Sequence, residues 1–350
     1  MHILKTIIIG GVAAGMTAAA KLKRLDSNHT IQVYEKGLDL SYSGCGMPYY
    51  LGDVVKDEDK LIARYEDDFE KQDIHVSLLH EVIEVYPDKQ SVKVMDLKTG
   101  KTFNDTYDYL VIATGTKAKR TNVPGSDIAN IYVLNQLPDM RVIKDEIQPN
   151  KAVAIIGGGY IGIEVAENLR LQGLDVHIIQ RGDQLLNQYD KEIAEKAKDA
   201  LESKGIHIHL NENLKCYKKE KQQTIVETDK HNFKVDFVIE SIGVTPYTDF
   251  LKSTGIDMLK NGAICINQYG ETSLPNVYAG GDCVSYYHQI KDDYVYVPLG
   301  THANKTGRII AENIAGKKVS FPGIVGSNII KITDLAFAKT GLGVDEARAL

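Results

Sequence analysis

The feature that most constrains this chain is a pattern that occurs twice: a short β-branched run, a glycine-rich turn and a segment with helical periodicity. The first copy is TIIIGGVAAGMTAAAKLKRL, from Thr6, and the second is VAIIGGGYIGIEVAENLRLQG, from Val153. Each copy is followed by another strand-like run, IQVYEKG or DVHIIQRG. Since a strand, a glycine turn, a helix and a second strand make one βαβ unit, the sequence predicts two such units with parallel sheets.

The spacing of the glycines indicates a dinucleotide. In a G-x-G-x-x-G turn the first glycine makes the tight turn, the second lets the backbone approach a pyrophosphate, and the third lets helix and strand pack closely. The second copy fills all three positions, with Gly157, Gly159 and Gly162. The first copy has Gly10 and Gly15 but Val12 in the middle, so we expect the phosphates to approach it slightly differently.

The residue at the end of each second strand indicates which nucleotide is bound. Glu35 holds this position in the first copy and is suited to accept from ribose hydroxyls without a 2′-phosphate. Gln180 replaces the acid in the second copy, and Arg181 stands beside it. Loss of the acid and gain of a cation favour NADPH, with NADH still possible. The alternative is that Arg181 is only a solvated charge at the end of a strand.

Two later segments extend the pattern. YDYLVIATGTKAKRTNVPG, from Tyr107, predicts a buried strand, a turn and a Pro-Gly loop, and TSLPNVYAGGD ends a strand in two glycines and Asp282. A carboxylate beside small residues can accept from a polyol such as the ribitol of a flavin. The alternative for Asp282 is a turn or helix-capping residue.

Composition sets the broad class. The chain has 350 residues, 25% of them charged and 43% hydrophobic, and a formal net charge of −6 from interspersed acids and bases. These values predict two or three domains, no nucleic-acid partner and no membrane partner. There is no long apolar run and no export signal, so we expect the cytoplasm. The four cysteines form neither a C-x-x-C pair nor a ligand cluster with histidine, so we expect no disulfide framework and no metal site.

Together these segments resemble the FAD- and NAD(P)H-dependent pyridine nucleotide-disulfide oxidoreductases, over essentially all 350 residues. The resemblance implies an α/β fold with two Rossmann-like dinucleotide-binding domains. FAD would occupy residues 1–112 and 245–325, and NAD(P)H would occupy residues 113–244. Residues 326–350 would start a C-terminal dimerisation domain that is largely absent. The family is homodimeric, so a chain that ends at Leu350 leaves the dimer and full activity open.

The stretch SYSGCGMPYY holds a lone cysteine, Cys45. The family's paired form has a second cysteine five residues away, but Leu40 and Tyr50 stand at those positions. The segment therefore resembles the single-cysteine branch, most closely the coenzyme A-disulfide reductases. That resemblance implies that Cys45 is catalytic and forms a mixed disulfide with a small thiol, using NADPH and FAD. The other three cysteines, Cys216, Cys265 and Cys283, are expected to be buried and inert.

Two alternatives stay open. The first is an NAD(P)H oxidase or a persulfide reductase with a Cys45 sulfenic or persulfide intermediate. Related oxidases have a histidine where this sequence has Ala13, which counts against the oxidase. The second is a flavin-bound redox sensor with little turnover.

The resemblance also assigns contacts one position at a time. Further cofactor contacts are Lys36, Val82, Ala113, Thr114, Gly115, Gly243 and Ala303, with Glu164 near the nicotinamide. The expected contacts of the coenzyme A substrate are Thr17, Arg24, Ser41 and His302. Each has an alternative: the KLKR run from Lys21 can be a solvated helix face, His302 a capping or core residue, and Glu164 a first-turn helix carboxylate.

Overall fold

The structure is a computed structural model that describes residues 3–350. It confirms the predicted α/β class, because both glycine turns join a parallel strand to a helix. The described chain divides into two compact units. Unit 1 contains the chain up to Ser43 together with Ile62–Lys117 and Thr245–Val325, and unit 2 contains Gly44–Leu61, Ala118–Val244 and Gly326–Leu350.

Strands and helices alternate around each glycine turn. The strands are β1 Lys5–Ile9, β2 Thr30–Glu35, β3 His75–Leu78, β4 His80–Tyr86, β5 Ser91–Asp96, β6 Thr102–Thr106, β7 Tyr109–Ile112, β8 Thr116–Ala118, β9 Ile131–Val133, β10 Ala152–Ile156, β11 Asp175–Ile179, β12 His207–His209, β13 Leu214–Glu220, β14 Gln223–Thr228, β15 Asn232–Val235, β16 Phe237–Glu240, β17 Val244–Pro246, β18 Val277–Ala279, β19 Tyr286–His288, β20 Asp293–Val295, β21 Asn328–Ile332 and β22 Leu335–Lys339. The helices are α1 Ala13–Leu25, α2 Met47–Leu51, α3 Glu66–Glu70, α4 Leu137–Glu146, α5 Tyr160–Leu171, α6 Lys191–Ser203, α7 Gly300–Ile314 and α8 Val344–Arg348. In the described chain, β3–β9 and β12–β20 follow one another without an α-helix between them. Within this described part of the chain, no helix is both long and apolar enough to cross a membrane.

Unit 1 is built on a five-stranded parallel sheet in the order β18-β7-β1-β2-β3. Its central strand β1 reads KTIII, and Ile7 and Ile8 are fully buried on opposite faces, as expected for a parallel sheet covered on both sides. An antiparallel sheet, β4-β5-β6, adds Val92 and Val94 to the core on the Ile7 side.

Unit 2 repeats this arrangement. Its parallel sheet has the order β12-β11-β10-β16-β9, with the strand of the second glycine turn, β10, again in the centre. A three-stranded antiparallel sheet, β13-β14-β15, packs on it through Tyr217, Val226 and Val235. In both sheets the strand before the glycine turn lies between the strand that follows it and a strand from much later in the chain.

The compact units differ from the predicted domain limits in three places. Residues 113–117, predicted in the NAD(P)H-binding domain, belong to unit 1. Residues 44–61 pack with unit 2, although the sequence analysis placed them in the FAD-binding domain.

Residues 326–350, predicted as the start of another domain, form the hairpin β21–β22 and the short helix α8 within unit 2. Tyr189 explains this placement, since its hydroxyl donates to Asn328 Oδ1 at 2.6 Å and to the Phe337 carbonyl at 3.0 Å. The assignment of the domains to cofactors stays a prediction.

Helices α1 and α7 of unit 1 approach closely because small residues line their contact. A Cβ atom added to Gly307 would lie 2.4 Å from the Ala14 carbonyl oxygen, well inside van der Waals contact. Ala303, one turn earlier on α7, is also buried. The sequence analysis assigned Ala303 to the cofactor site, and the structure places it at this helix contact, beside Gly281.

We expect Gly307→Ala to lower the free energy of unfolding by about 1–3 kcal/mol, because the added methyl group must push α1 and α7 apart. The matched control is Gly300→Ala in the same helix, where an added Cβ meets open space. Urea unfolding of the FAD-loaded protein, followed by circular dichroism, measures both variants. Equal stabilities for the two variants would show that the helix contact does not need this glycine.

Candidate active site

The first glycine turn of unit 1 is held by close backbone contacts. Gly10 has φ +105°, and a Cβ atom there would lie 2.3 Å from the Ala113 carbonyl oxygen. A Cβ atom on Gly15 would lie 1.9 Å from the Gly10 carbonyl oxygen. Side chains are thus excluded at both positions, and the structure brings the turn together with the Ala113–Gly115 loop. Val12 precedes α1 with a non-helical backbone. It holds the position that Gly159 has in the second copy.

Glu35, at the end of β2, fixes the loops on either side of it. Its Oε2 accepts the Gly11 N–H at 2.7 Å, and its Oε1 accepts the Gly37 N–H at 2.7 Å. Ser41 lies nearby in the left-handed region, with φ +49°, and its N–H donates to the Gly11 carbonyl at 2.8 Å. The predicted ribose acceptor and the predicted substrate contact Ser41 therefore flank one turn.

Asp282 follows β18 at the same carboxyl edge of the sheet as Gly10 and Glu35. Its Oδ1 atom is buried and has no hydrogen-bond partner among residues 3–350. Burial raises the pKa of this carboxyl to about 6. A buried acceptor without a donor fits a polyol hydroxyl, so the residues present fit the ribitol of FAD.

Two other predicted cofactor contacts of unit 1, Thr114 and Lys36, contact a residue that the sequence analysis missed. The Thr114 hydroxyl donates to the Tyr247 carbonyl at 2.7 Å, and the Lys36 ammonium lies 3.6 Å from the centre of the Tyr247 ring. Burial lowers the pKa of Lys36. Tyr247 is the missed residue, and its place just beyond the Gly243 turn was the signal in the sequence. Val82, by contrast, is a buried core residue of β4.

The second glycine turn reproduces the first in unit 2. Gly157 has φ +110°, and its added Cβ would lie 2.4 Å from the Ser241 carbonyl oxygen, which brings this turn to the loop that holds Gly243. A Cβ on Gly162 would lie 2.3 Å from the Gly157 carbonyl oxygen. Around Gly159 an added Cβ would meet open space, so a ligand can approach its backbone.

Gln180 takes the role in unit 2 that Glu35 has in unit 1. Its Oε1 accepts the Gly158 N–H at 3.1 Å. Its backbone N–H donates to the His209 carbonyl at 2.8 Å, which fixes the end of β11 against β12. Arg181 is the next residue and is exposed, so its charge is available at the mouth of this turn.

Cys45 lies in unit 2, within a 3-10 turn formed by Gly44–Gly46. Its side chain is exposed, and it forms no disulfide with another cysteine of the described chain. The short helix α2 follows directly and packs on α4 and α5. The thiol is thereby carried on the helices of the unit that holds the second glycine turn.

Polar contacts fix the far end of α2. The Lys144 ammonium, on α4, donates to the Tyr50 carbonyl at 3.1 Å and forms an ion pair with Asp53 at 2.5 Å. The Gln172 side-chain amide donates to the Gly52 carbonyl at 2.8 Å. These contacts satisfy carbonyls that the end of a helix leaves without partners, and so hold the cysteine segment in place.

An acidic group with a raised pKa belongs to the same unit. Burial, with a smaller contribution from Glu167, raises the pKa of Glu164 to about 7. Glu164 lies in the second turn of α5, so the alternative of a first-turn carboxylate stabilised by the helix dipole is wrong. Tyr49, which the sequence analysis missed, has its own pKa raised by burial and then by Glu164, Glu167 and Cys45. Its four-residue spacing from Cys45 was the available signal.

The other cysteines differ from one another in exposure. Cys283 is fully buried, and burial raises the pKa of its thiol to about 11, which agrees with an inert role. Cys216 and Cys265 are only half-buried, so their expected complete burial is wrong. Cys216 lies on β13, an edge strand of a three-stranded sheet, where its side chain is covered incompletely.

The basic run on α1 is largely neutralised by partners within unit 1. Lys21 pairs with Glu312 at 2.9 Å, and Lys23 pairs with Asp73 at 2.6 Å. Arg24 is exposed, and its Nε donates to the Ala20 carbonyl of its own helix at 3.0 Å. Arg24 is therefore the cation of this run that is most available to a phosphate.

The remaining predicted substrate contacts also have partners in unit 1. The Thr17 hydroxyl donates to Asn304 Oδ1 at 3.0 Å. His302 is buried beneath Tyr286, with ring centres 5.1 Å apart, and its Nδ1 lies 3.3 Å from the Val297 carbonyl. Burial lowers the pKa of His302. This position favours the alternative of a core residue over a substrate contact.

Comparison with known proteins agrees with this geometry. Residues 4–307 match the family Pyridine nucleotide-disulphide oxidoreductase. Coenzyme A disulfide reductase of Staphylococcus epidermidis is 34% identical over 348 residues, which cover 98% of this chain and 78% of that protein. The reduced Bacillus anthracis CoADR-RHD structure matches with a TM-score of 0.95 and 27% sequence identity. The NAD-dependent persulfide reductase from A. fulgidus matches with a TM-score of 0.95 and 29% sequence identity. The alignments cover 100% and 99% of this chain, but 63% and 65% of those two chains.

The chain belongs to the pyridine nucleotide-disulphide oxidoreductase family. It is by class an NAD(P)H-dependent disulfide oxidoreductase, and the family depends on FAD.

We expect Asp282→Asn to weaken FAD binding about 10- to 100-fold, because a charge-assisted hydrogen bond is replaced by a neutral one. Flavin retained after gel filtration, and titration of the FAD-free protein with FAD, measure this loss. Without FAD the variant should be at least as stable as the wild type at neutral pH, because the carboxylate is held above its ordinary pKa. Asp257→Asn, at an exposed position of unit 1, is the control. A variant that keeps its FAD affinity would remove Asp282 from the flavin site.

We expect Glu164→Gln to remove a pH-dependent loss of stability. The folded-state pKa of about 7 exceeds the ordinary 4.5, so the contribution of Glu164 to stability is fully present below about pH 4.5 and is lost as pH rises through 7. The variant should therefore gain about 1–2 kcal/mol relative to the wild type between pH 5 and pH 8. Chemical unfolding across this range, without nicotinamide nucleotide, tests it against Glu195→Gln. If the free energy of unfolding depended on pH in the same way in the wild type and in Glu164→Gln, the raised pKa of Glu164 would be contradicted.

Proposed function

We propose that this chain reduces coenzyme A disulfide at Cys45, with NADPH as the electron donor and FAD as the bound cofactor. The observation that carries the proposal is that Cys45 is exposed, whereas Cys216 and Cys265 are half-buried and Cys283 is fully buried. The relative from Staphylococcus epidermidis, which bears the name coenzyme A disulfide reductase, supports the same substrate class.

The proposed chemistry needs one cysteine of the protein. The Cys45 thiolate attacks one sulfur of the substrate, so that a Cys45–substrate disulfide forms, the substrate's own S–S bond breaks and one thiolate leaves. Two electrons then break the mixed disulfide, which returns Cys45 to the thiolate and releases the second thiol. FAD and NADPH supply these electrons when bound. The sum is one NADPH and one proton consumed for each disulfide reduced to two thiols.

The argument for a phosphorylated thiol depends on α1. Lys21 and Lys23 are paired with acidic side chains, whereas Arg24 is exposed and bonded to a neutral carbonyl. A guanidinium binds phosphate oxygens through two donors at once, so Arg24 is suited to a phosphate of coenzyme A. Thr17 and Ser41 belong to the same unit and remain proposed contacts.

Arg181 supports NADPH over NADH. It is exposed beside Gln180, an amide that already accepts from the glycine turn and adds no negative charge to repel a 2′-phosphate. FAD is proposed for unit 1, with Glu35 and Asp282 as acceptors. Helix α7 begins at Gly300 in that unit, and its positive end would favour electron density on a reduced flavin.

Two further predictions stay open. The family's dimer and the cytoplasmic location are proposals for this chain, and light scattering of the purified protein tests the first.

The deciding experiment is anaerobic oxidation of NADPH by the FAD-loaded protein, with coenzyme A disulfide as the varied substrate. We expect Cys45→Ser to lower the turnover number by about 10³-fold or more, because the serine hydroxyl cannot form the mixed disulfide. Cys265→Ser, at a half-buried cysteine, should keep the wild-type rate. Arg24→Ala should raise the KM for coenzyme A disulfide but not the KM for glutathione disulfide.

The other outcomes separate the alternatives. Oxygen uptake that follows NADPH consumption, without disulfide turnover, would support an oxidase. Turnover restricted to a persulfide would support a persulfide reductase. Flavin reduction without turnover on any of these substrates would support a redox sensor. A lower KM for NADH than for NADPH would contradict the argument from Arg181.

A further inference from the structure

Four of the ten histidines in the chain gather in unit 2, at sites that the proposed function does not use. His177 is on β11, His207 and His209 are on β12, and His231 precedes β15. The His177 ring stacks on the His207 ring with centres 4.8 Å apart and on the His209 ring with centres 5.4 Å apart. Asp175 lies at the open end of this group.

The strand register brings these residues together. Side chains two residues apart on a strand point to the same face, so Asp175 and His177 share one face of β11. In the parallel pairing, His177 lies opposite His207, and Ile179 lies opposite His209. The edge strand β12 therefore adds its histidines to the face that already carries Asp175 and His177.

The side-chain atoms lie at metal-ligand spacing. His177 Nε2 is 3.5 Å from Asp175 Oδ2, and His207 Nε2 is 3.3 Å from Asp175 Oδ1. One ligand atom from each of these three residues fits within a mutual separation of 4.8 Å. Two ligands of a tetrahedral zinc ion are about 3.3 Å apart, given bonds of about 2.0–2.1 Å. Each imidazole lies at about this spacing from one oxygen of the Asp175 carboxylate.

The site is open to an ion from water. The side chains of Asp175 and His207 are 53% and 55% exposed, and that of His177 is 20% exposed. No ion is present. Three protein ligands with an open side leave a coordination position for water.

A second layer of contacts orients the innermost ligand. His177 Nδ1 lies 3.1 Å from His209 Nε2, so the two rings share one hydrogen bond. When His177 Nδ1–H donates, the lone pair of His177 Nε2 faces Asp175 and His207. The buried carboxylate of Glu212 lies 4.0 Å from the other nitrogen of His209 and accepts from the Thr228 hydroxyl at 2.5 Å. A ligand imidazole whose second nitrogen is held by a hydrogen bond is typical of metal sites, and His209 supplies that bond here.

We propose that Asp175, His177 and His207 bind one divalent transition-metal ion of the Zn²⁺ class. Two imidazole nitrogens and one carboxylate oxygen suit Zn²⁺, Ni²⁺ or Cu²⁺ better than Mg²⁺ or Ca²⁺, which prefer oxygen ligands. The ion would join the three-residue edge strand β12 to β11. Zn²⁺ is the best probe because it has no redox chemistry of its own to interfere with flavin measurements.

The test is calorimetric titration of the untagged, FAD-loaded, chelator-treated protein with Zn²⁺, followed by the visible spectrum of the Co²⁺ form. We expect one ion per chain and an intense tetrahedral Co²⁺ spectrum. His207→Gln and Asp175→Asn should each weaken binding about tenfold or more, because each removes one of three ligands. Both positions are exposed, so we expect both variants to fold, and circular dichroism checks this.

The matched control is His75→Gln in unit 1. His75 is an exposed histidine whose Nε2 lies 3.9 Å from Asp73, so it offers an imidazole and a carboxylate without the second histidine of the proposed site. Its substitution should leave the affinity unchanged. The proposal is overturned if the wild type does not bind Zn²⁺, or if His207→Gln and Asp175→Asn bind it as tightly as the wild type. If His75→Gln lost as much Zn²⁺ affinity as His207→Gln and Asp175→Asn, the proposal would also be overturned.

Discussion

The structure depends on two close contacts between a glycine and a backbone carbonyl. The Gly15 and Gly162 positions lie so near the Gly10 and Gly157 carbonyl oxygens that a single methyl group would collide. Each contact sets a helix directly above the end of a central strand, with its first N–H groups at the carboxyl edge of the sheet. The other predicted nucleotide contacts follow from this placement, because parallel strands bring their carboxyl ends to the same edge.

The two units use the same scaffold for different electrostatics. In each, the residue at the end of the second strand accepts a hydrogen bond from the glycine turn, but Glu35 brings a negative charge and Gln180 does not. The backbone role is thus preserved while the charge offered to a nucleotide changes. This separation would let similar turns serve the two different dinucleotides proposed for this chain.

Local patterns were sufficient to predict the two glycine turns, the parallel sheets and the family. They could not show which unit holds the cysteine segment, because the contacts of Lys144 and Gln172 come from residues about 90 to 120 positions away. Nor could they give the raised pKa of Glu164, which arises from burial.

The group of histidines on β11 and β12 was missed for a similar reason. DVH and HIH each show two-residue spacing, but only the register of β11 against β12 brings them together. The prediction of no metal site was based on ligands close in sequence, whereas the proposed ligands come from two separate strands.

The unequal burial of the four cysteines also makes the chain suitable for selective chemical labelling. A thiol-directed reagent reaches the exposed Cys45 readily, whereas Cys283 is shielded by packing and burial raises the pKa of its thiol to about 11. In the folded protein the order of alkylation therefore ranks the cysteines by depth. A spin label or a fluorophore attached under mild conditions would report first from the Gly44–Gly46 turn, without the need to engineer a new attachment point.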